Sequence, residues 1–342
     1  MNNLIEVKNL CVSYQTYAGE VKSVRGVSFA VEKGETLAIV GESGCGKTVT
    51  AKTLMGLIQP PGVIKEGSEI IYANKNLVKQ SEKEWESYRG GECAMIFQDA
   101  LAALNPTMSV GKQIAENLII HKKMNKKDAI RKAVEILGKV GIPEPEKRVK
   151  QYPHEFSGGM RQRVMIAIAL ACTPKLLIAD EPTTALDVTI QAQILELLKE
   201  LQKELKTSII LITHDLGVVA DMADHIAVMY SGKIIEKGRR RDIFYHPKHP
   251  YTWSLLNAVP RLDGDRKNNL VSIEGAPPDL LLPIKGCAFA ERCPYCMNIC
   301  TRQEPPVYQF ENDHIVSCWL QHEKVKKDCP FETGGALCVV KE

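Results

Sequence analysis

Long apolar runs are absent from this 342-residue sequence. Its longest apolar stretches, VMIAIALAC at 164–172 and IILIT at 209–213, are much shorter than the roughly 20 residues that a helix needs to cross a bilayer. The N-terminus, MNNLIEVKNL, lacks a basic region followed by an apolar one, so it predicts no signal peptide. These absences favour a protein that is made and kept in the cytosol.

A strong charge of either sign is also missing, because 44 Lys and Arg face 41 Asp and Glu for a net charge of +3. Near-neutrality gives no reason to expect a nucleic-acid or anionic-lipid partner, and we predict no nucleic-acid partner. The hydrophobic content of 44% and charged content of 25% are those of an ordinary globular protein. The length suits one large or two modest domains.

Strand-like and helix-like segments alternate along the chain, which predicts an α/β core. A block at about 99–165 carries apolar residues at helical spacing, and we interpret it as a helical insertion. From about 240 the composition changes to HPKHPY, APPDLLLP and a cysteine-rich run, which indicates an appended C-terminal segment. The predicted core strands include LIEVKNLCVSY, ETLAIV, KLLIAD, TSIILIT and HIAVMY.

The sequence GESGCGKT at 41–48, directly after the apolar run ETLAIV, matches the P-loop pattern G-x-x-x-x-G-K-[ST]. Its glycines let successive N–H groups point at phosphate oxygens, and a following helix presents its N-terminus to the same anion. Lys47 can reach the terminal phosphates, and the Thr48 hydroxyl can bind Mg²⁺. An ordinary glycine-rich turn is the alternative, but the strand before the loop and the helix after it favour a phosphate site. The predicted nucleotide-binding residues here are Gly41, Ser43, Gly44, Cys45, Gly46, Lys47, Thr48 and Val49.

A second apolar strand, LLIADE, delivers Asp180 and Glu181 to its carboxyl end. Ligands of open α/β sheets bind at that edge. Asp180 suits a Mg²⁺-associated role, and Glu181 could act as the general base for an attacking water. The alternative interpretation is that the two acids only cap a helix. The P-loop upstream makes this alternative less favoured.

Two further polar residues end apolar strands in the same manner. His214 follows IILIT, and Gln98 follows CAMIF. Neither is a strong signal alone, because a lone histidine there is usually structural. If both converge with Asp180 and Glu181 on one γ-phosphate, Gln98 could contact Mg²⁺ or the water.

Residues 156–164, FSGGMRQRV, resemble the signature of an ATP-binding cassette (ABC) ATPase. The resemblance covers nearly the whole chain and implies an ATP-hydrolysing enzyme that uses Mg²⁺. The implied fold is an α/β P-loop NTPase, an ABC-type nucleotide-binding domain with a helical subdomain and a small Cys-rich C-terminal extension. It also implies that Tyr14 stacks on adenine, with Tyr17 as a weaker candidate. The motifs stand in the family's order: P-loop at 41–48, Gln98, signature Ser157, Gly158 and Gly159, strand 176–180, Glu181, D-loop at 185–187 and His214.

The signature departs from the family's commonest form at two positions, Phe156 for leucine and Met160 for glutamine. Neither change removes Ser157 or the two glycines, which open a helix whose N-terminus can face a phosphate. In this family that phosphate belongs to the nucleotide of another subunit. The resemblance therefore implies that one chain holds two half-sites.

The segments FQDALAALNP (97–106), HPKHPYTWSLLNAVP (246–260) and GCAFAERC (286–293) resemble those of dipeptide, oligopeptide and nickel importers. The resemblance implies a nucleotide-binding domain at 1–255 and a peptide-importer extension at 256–342. It further implies an ATPase subunit of a peptide importer, peripheral at the cytoplasmic face of the membrane. Its partners would be a second, non-identical ATPase subunit, two permeases contacted by the helical subdomain, and an extracellular peptide-binding protein.

Three alternatives to a peptide importer follow from the same sequence. A nickel-complex importer cannot be separated from these residues, because a cytosolic ATPase never touches the cargo. A soluble ABC ATPase acting on nucleic acid or ribosomes usually needs two cassettes or a long coiled coil, and neither is present. A regulatory module without catalysis would lack the equivalents of Glu181 or His214, and both are present.

Eleven cysteines are present, and five lie within 287–318. In a reducing cytosol such a cluster predicts metal binding rather than disulfides. The spacing matches neither paired zinc knuckles nor the bacterial ferredoxin run, so it names no metal. The resemblance implies a [4Fe–4S] cluster, most simply structural, with zinc as the alternative. The implied ligands are Cys287, Cys293, Cys300 and Cys318, which leaves Cys296, Cys329 and Cys338 without a role.

Overall fold

Residues 3–184, 187–258 and 273–325 are described by a computed structural model of the chain. The strands are β1 (Asn3–Thr16), β2 (Gly19–Glu32), β3 (Thr36–Val40), β4 (Gly62–Ile64), β5 (Glu69–Tyr72), β6 (Lys75–Asn76), β7 (Cys93–Ile96), β8 (Leu176–Asp180), β9 (Ser208–Thr213), β10 (His225–Tyr230), β11 (Lys233–Arg239), β12 (Val307–Gln309) and β13 (Ile315–Ser317). The helices are α1 (Lys47–Leu54), α2 (Glu82–Tyr88), α3 (Ala100–Ala103), α4 (Val110–Lys122), α5 (Lys126–Lys139), α6 (Pro145–Arg148), α7 (Gly158–Leu170), α8 (Val188–Leu205), α9 (Leu216–Met222), α10 (Arg240–Tyr245) and α11 (Pro250–Asn257).

The main sheet has the strand order β12-β13-β11-β10-β3-β9-β8-β7. Its strands β10, β3, β9, β8 and β7 run parallel. Every residue of β3, β8 and β9 is buried, which explains their uninterrupted apolar sequences, because parallel strands are covered on both faces. The predicted α/β core is confirmed, and the carboxyl ends of β3, β7, β8 and β9 lie at one edge.

Alternate side chains of these strands enter two separate cores, as the pleat requires. Ile178, Ile210 and Ile212 join a core with α1, α2 and the antiparallel sheet β2-β1-β5-β6, on which β4 also pairs with β1. Leu177 and Leu211 point to the opposite face and pack with the helices α4, α5, α7 and α8. The central sheet therefore lies between two layers.

The segment predicted as a helical insertion contains α3 to α6 and most of α7. Side chains of Asp99, Asn125 and Ser157 cap the N-termini of α3, α5 and α7, accepting backbone hydrogen bonds that the first turn leaves free. In α5 the buried residues recur at helical spacing and include Ala129, Ala133 and Leu137. The helical character predicted from the periodicity is confirmed.

The Cys-rich segment extends the main sheet, because β13 pairs with β11 and β12 pairs with β13, both antiparallel. Helix α11 runs across residue 255, where the predicted division between two domains falls. That division stays a prediction. Among the residues that the structure describes, no helix is long and apolar enough to span a membrane.

Glu236 on β11 ties these C-terminal elements together. Its side chain is fully buried and accepts hydrogen bonds from the backbone N–H groups of Lys248 (2.6 Å) and His249 (3.0 Å) at the start of α11. Its Oε1 also lies 2.7 Å from Nε2 of the buried His314, next to β13. One carboxylate thus connects β11 to both later segments.

We predict that Glu236→Ala lowers the free energy of unfolding by roughly 2–4 kcal/mol, because it leaves buried donors unpaired. Urea denaturation followed by circular dichroism measures this change. Glu311→Ala, which removes an exposed carboxylate from the same C-terminal region, is the matched control and should change it by less than about 0.5 kcal/mol. Equal stability of the two variants would contradict the role of Glu236.

Candidate functional site

The loop at 41–48 joins β3 to α1 in a conformation that depends on glycine. Gly41 and Gly46 have φ angles of +154° and +101°. A Cβ on Gly41 would lie 2.1 Å from the carbonyl oxygen of Met229, and one on Gly46 would lie 2.4 Å from that of Ser23. Side chains are therefore excluded at both positions, and the loop can pack closely on β10 and β2.

Lys47 and Thr48 open α1 and face the end of β8. The buried Lys47 donates from Nζ to the carbonyl oxygens of Gly41 (2.8 Å) and Glu42 (2.9 Å). Thr48 Oγ1 donates to Asp180 Oδ1 at 3.1 Å. Burial raises the pKa of Asp180, and the neighbouring Glu181 carboxylate also acts in that direction. A hydroxyl and a carboxylate thus meet beside the loop, which is a donor set that suits Mg²⁺.

Two further predicted residues, Cys45 in the loop and Val49 in α1, lie beside Lys47 and the core. Cys45 is buried, its Sγ is 3.9 Å from Lys47 Nζ, and burial raises the pKa of its thiol. Val49 packs against the core between the two sheets.

Glu181 is the centre of a hydrogen-bond network at the same edge. Its Oε2 accepts from Gln98 Nε2 (3.0 Å) and from Thr184 Oγ1 (2.9 Å), and its Oε1 lies 3.3 Å from His214 Nδ1. Glu181 has a φ of +48°, an unfavourable backbone conformation held by a hydrogen bond of 2.8 Å from its N–H to Ile212 O. The structure therefore brings together Gln98, Glu181 and His214, while Thr184 is a contact that the sequence did not indicate.

The signature residues lie at the start of α7. Ser157 accepts a hydrogen bond from Met160 N (3.4 Å), and Gly158 and Gly159 begin α7, with Ser157 and Gly158 exposed. Among the described residues, no hydrogen bond joins these three positions to residues 41–48. Ser157 and Gly158 thus leave the N-terminus of α7 exposed.

Both residues that depart from the usual signature pack against neighbouring side chains. Phe156 is buried, and Met160 packs half-buried against the helical core. The Arg148 guanidinium lies 5.8 Å from the centre of the Phe156 ring. Of the D-loop, Asp187 caps α8, while residues 185 and 186 lie outside the described part of the chain.

The two candidate adenine-stacking tyrosines differ in exposure. Tyr14 lies on β1, half-buried against the core that also holds Val49, and burial raises its pKa. Tyr17 lies in the turn between β1 and β2 and is fully exposed. Stacking on adenine stays a prediction for either residue.

Four cysteines surround one small cavity in the C-terminal segment. Cys287, Cys293, Cys300 and Cys318 all line it, together with His249, and its volume is about 10 Å³. Burial raises the pKa of Cys293 to about 12, and burial also raises the pKa of Cys318, with the neighbouring thiols adding to the effect. Cys296 is exposed and does not line the cavity, and residues 329 and 338 lie outside the described ranges.

The residues of this cavity include donor atoms that bind metals, but their positions do not form a metal-binding geometry. His249 Nδ1 accepts from Tyr251 N at 3.0 Å, while the buried Nε2 has no hydrogen-bond partner. Four thiols and an unpaired imidazole nitrogen are donors that iron–sulfur clusters and zinc use. However, no group of three or more His, Cys, Asp or Glu within residues 3–184, 187–258 and 273–325 is arranged to hold a metal ion.

Two residues beside this cavity contact the loop at 41–48, and the sequence did not indicate them. Arg292 donates to both carboxylate oxygens of Glu42, at 2.7 and 2.9 Å. Tyr251 OH accepts a hydrogen bond of 2.9 Å from Glu42 N. The positions in each pair are more than 200 residues apart in sequence, and no local pattern joins them.

Comparison with known proteins agrees with this geometry. Two family models match the chain, "ABC transporter" over residues 24–184 and "Oligopeptide/dipeptide transporter, C-terminal region" over residues 235–300. The oligopeptide transport ATP-binding protein OppD of Bacillus subtilis is 59% identical over 97% of this chain and 93% of that protein. The dipeptide transport ATP-binding protein DppD of the same organism is 56% identical over 95% of this chain and 97% of that protein.

A solved structure shares the fold. The dimeric, post-hydrolysis state of an ATP-binding cassette bound to ADP and phosphate has a TM-score of 0.62 and 26% identity, and the match covers 69% of this chain and 99% of that one. The P-loop fold, the resemblance to ABC ATPases and the expected ATP hydrolysis with Mg²⁺ are confirmed at this level. The chain belongs to the ABC transporter ATPases, in the family of oligopeptide and dipeptide transport ATP-binding proteins.

Proposed function

We propose that this chain is the ATP-hydrolysing subunit of a membrane importer for dipeptides or oligopeptides. The observation that carries the proposal is the convergence of Gln98 and His214 on Glu181, beside the Thr48–Asp180 contact. Relatives of 59% and 56% identity are named for oligopeptide and dipeptide transport. A polar site that suits water and phosphate thus occurs in a chain whose relatives are named for peptide transport.

Phosphate binding uses the backbone of the loop. The N–H groups of residues 43–48 cradle the phosphates, and the N-terminus of α1 adds its dipole. Lys47 turns from the carbonyl oxygens of Gly41 and Glu42 to the β- and γ-phosphate oxygens. Thr48, Asp180 and Gln98 would hold Mg²⁺, which would neutralise phosphate charge. Tyr14 contacts the adenine.

Hydrolysis is an in-line attack of water on the γ-phosphorus. Glu181 accepts a proton from the water as the new P–O bond forms and the bond to the ADP oxygen breaks. His214 Nδ1 and Gln98 Nε2 hold the Glu181 carboxylate in the structure, and they orient the water and the γ-phosphate in the bound state. The strained backbone of Glu181 fixes its carboxylate before substrate arrives.

Full activity requires other subunits. The open N-terminus of α7, with Ser157, Gly158 and Gly159, faces the nucleotide of a second, non-identical ATPase subunit. The exposed side chains of Phe97 and Leu101, on either side of Gln98 and Asp99, suit contact with the permeases. The chain then works as a peripheral protein at the cytoplasmic face of the membrane, and an extracellular peptide-binding protein delivers cargo to two permeases.

We further propose that Cys287, Cys293, Cys300 and Cys318 hold a [4Fe–4S] cluster, with zinc as the alternative. Support comes from their shared cavity and from the unpaired Nε2 of His249 beside it. Such a group would crosslink a segment with little core of its own, and its role would be structural.

We predict that Glu181→Gln abolishes uptake of a labelled oligopeptide, because an amide cannot accept the proton from water. Nucleotide binding should remain, because the shape of the side chain is kept. The measurement is peptide uptake and ATP turnover in proteoliposomes that hold the complete transporter and its binding protein.

Glu196→Gln makes the same chemical change on the exposed face of α8 and should leave both activities intact. Normal peptide uptake by Glu181→Gln would refute the catalytic role of Glu181. If the wild-type complex transported a nickel chelate and no peptide, the proposed cargo would be wrong while the ATPase assignment would stand.

For the metal, we predict iron and acid-labile sulfide in near-equal amounts in anaerobically purified protein. Cys300→Ser should lose this content, whereas Cys296→Ser, at an exposed position outside the cavity, should keep it. Elemental analysis and the visible spectrum give the result. Zinc without sulfide would show that the site binds zinc and not an iron–sulfur cluster. Protein without metal would refute the proposal.

A further inference from the structure

Glu42, the second residue of the loop at 41–48, is held from outside the cassette core. Arg292 contacts its carboxylate through two parallel hydrogen bonds, Nη1 to Oε2 at 2.7 Å and Nη2 to Oε1 at 2.9 Å. The Arg292 side chain is 5% exposed. The backbone N–H of Glu42 donates to Tyr251 OH. Both the side chain and the backbone of this loop residue are therefore fixed by the C-terminal region.

Every N–H donor of the Arg292 guanidinium has a hydrogen-bond acceptor. Besides the two bonds to Glu42, Nε donates to Glu274 O (3.0 Å), Nη2 to Ile273 O (3.2 Å) and Nη1 to Tyr230 OH (3.1 Å). These five bonds equal the five N–H donors of a guanidinium. A lysine offers one point charge and cannot reproduce this planar, bidentate arrangement.

Three packed aromatic rings lie next to the contact between Arg292 and Glu42. The rings of Tyr230 and Tyr251 lie 4.6 Å apart, and that of Phe289 lies 5.3 Å from Tyr230 and 5.4 Å from Tyr251. All three side chains are buried. They pack β10, α11 and the Cys-rich segment together next to the loop, and closely packed aromatic side chains resist displacement.

The backbone of Glu42 takes part in the hydrogen bonds within the loop at 41–48. The carbonyl oxygens of Gly41 and Glu42 accept the two hydrogen bonds of Lys47 Nζ. The peptide groups that follow are those whose N–H groups would meet the phosphates. A displaced Glu42 would therefore move the resting position of Lys47 and the direction of these N–H groups, and binding would then have to reorder the loop.

We propose that Arg292, which the Cys-rich segment supplies, is a positioning residue for ATP binding that holds the P-loop in its binding conformation through Glu42. The Cys-rich segment is then a structural part of the nucleotide site. This inference rests on the proposed ATP site at 41–48, but it is independent of the cargo and of any metal. Arg292 acts through Glu42 and does not itself touch the nucleotide.

The test is a double-mutant cycle in the full-length chain, with the dissociation constant of a fluorescent ATP analogue as the readout. Arg292→Gln and Glu42→Gln should each weaken binding roughly 10-fold, and the double variant should bind no more weakly than either single one. Arg292→Lys should recover little of the loss. In the assembled transporter, KM for ATP should rise while kcat at saturating ATP stays within about 2-fold of the wild type.

Arg302→Gln is the matched control, since it removes an exposed charge from the same segment and should bind normally. If Arg292→Gln does not fold, the affinity of Glu42→Gln alone tests the proposal. The Glu42 side chain is 26% exposed, so its replacement should disturb packing little. Wild-type affinity of Glu42→Gln, or losses that multiply in the double variant, would overturn the proposal. Lys47→Ala with undiminished affinity would instead refute the proposed ATP site, and this inference with it.

Discussion

The parallel alignment of β7, β8, β9, β3 and β10 is the constraint on which the site depends. These strands are held by burial on both faces, so their register cannot shift without exposing apolar side chains or burying polar ones. Since all five run in one direction, their polar continuations emerge at a single edge. The contacts of Thr48 with Asp180, and of Gln98 and His214 with Glu181, are the direct result.

The same sheet also anchors the C-terminal region. Strand β13 pairs with β11, and Glu236 joins β11 to the start of α11 and to His314. From that anchored base, Tyr251 and Arg292 reach the loop at 41–48. Arg292 immediately precedes Cys293, so one short piece of backbone carries both the side chain that contacts the loop and a cysteine that lines the cavity. The C-terminal region is thus connected to the loop both through the main sheet and through direct contacts.

The sequence predicted the parts of the site that have local causes. The P-loop glycines, the helix start at Ser157 and the acidic pair Asp180 and Glu181 are visible because each belongs to a short local pattern. The shared edge of Gln98, Glu181 and His214 also followed, because each ends a buried apolar strand.

The Glu42–Arg292 pair could not be predicted, since 250 positions separate two charged residues that look like ordinary surface side chains. Thr184 and the orphan nitrogen of His249 were equally hidden, because hydrogen-bond partners depend on tertiary packing. The cysteine cluster predicted a metal site, and the family resemblance implied its four ligands. Those four residues do line one cavity, but neither signal supplies the ligand geometry.

The most direct measurement of the central claim is a structure of the complete transporter with Glu181→Gln and ATP–Mg²⁺. The account predicts ATP phosphates on residues 41–48, with Lys47 at the γ-phosphate and the signature of the second ATPase subunit opposite it. Ser157 of this chain should contact the nucleotide held by that second subunit. A nucleotide away from residues 41–48, or one contacted by Ser157 of the same chain, would contradict the account.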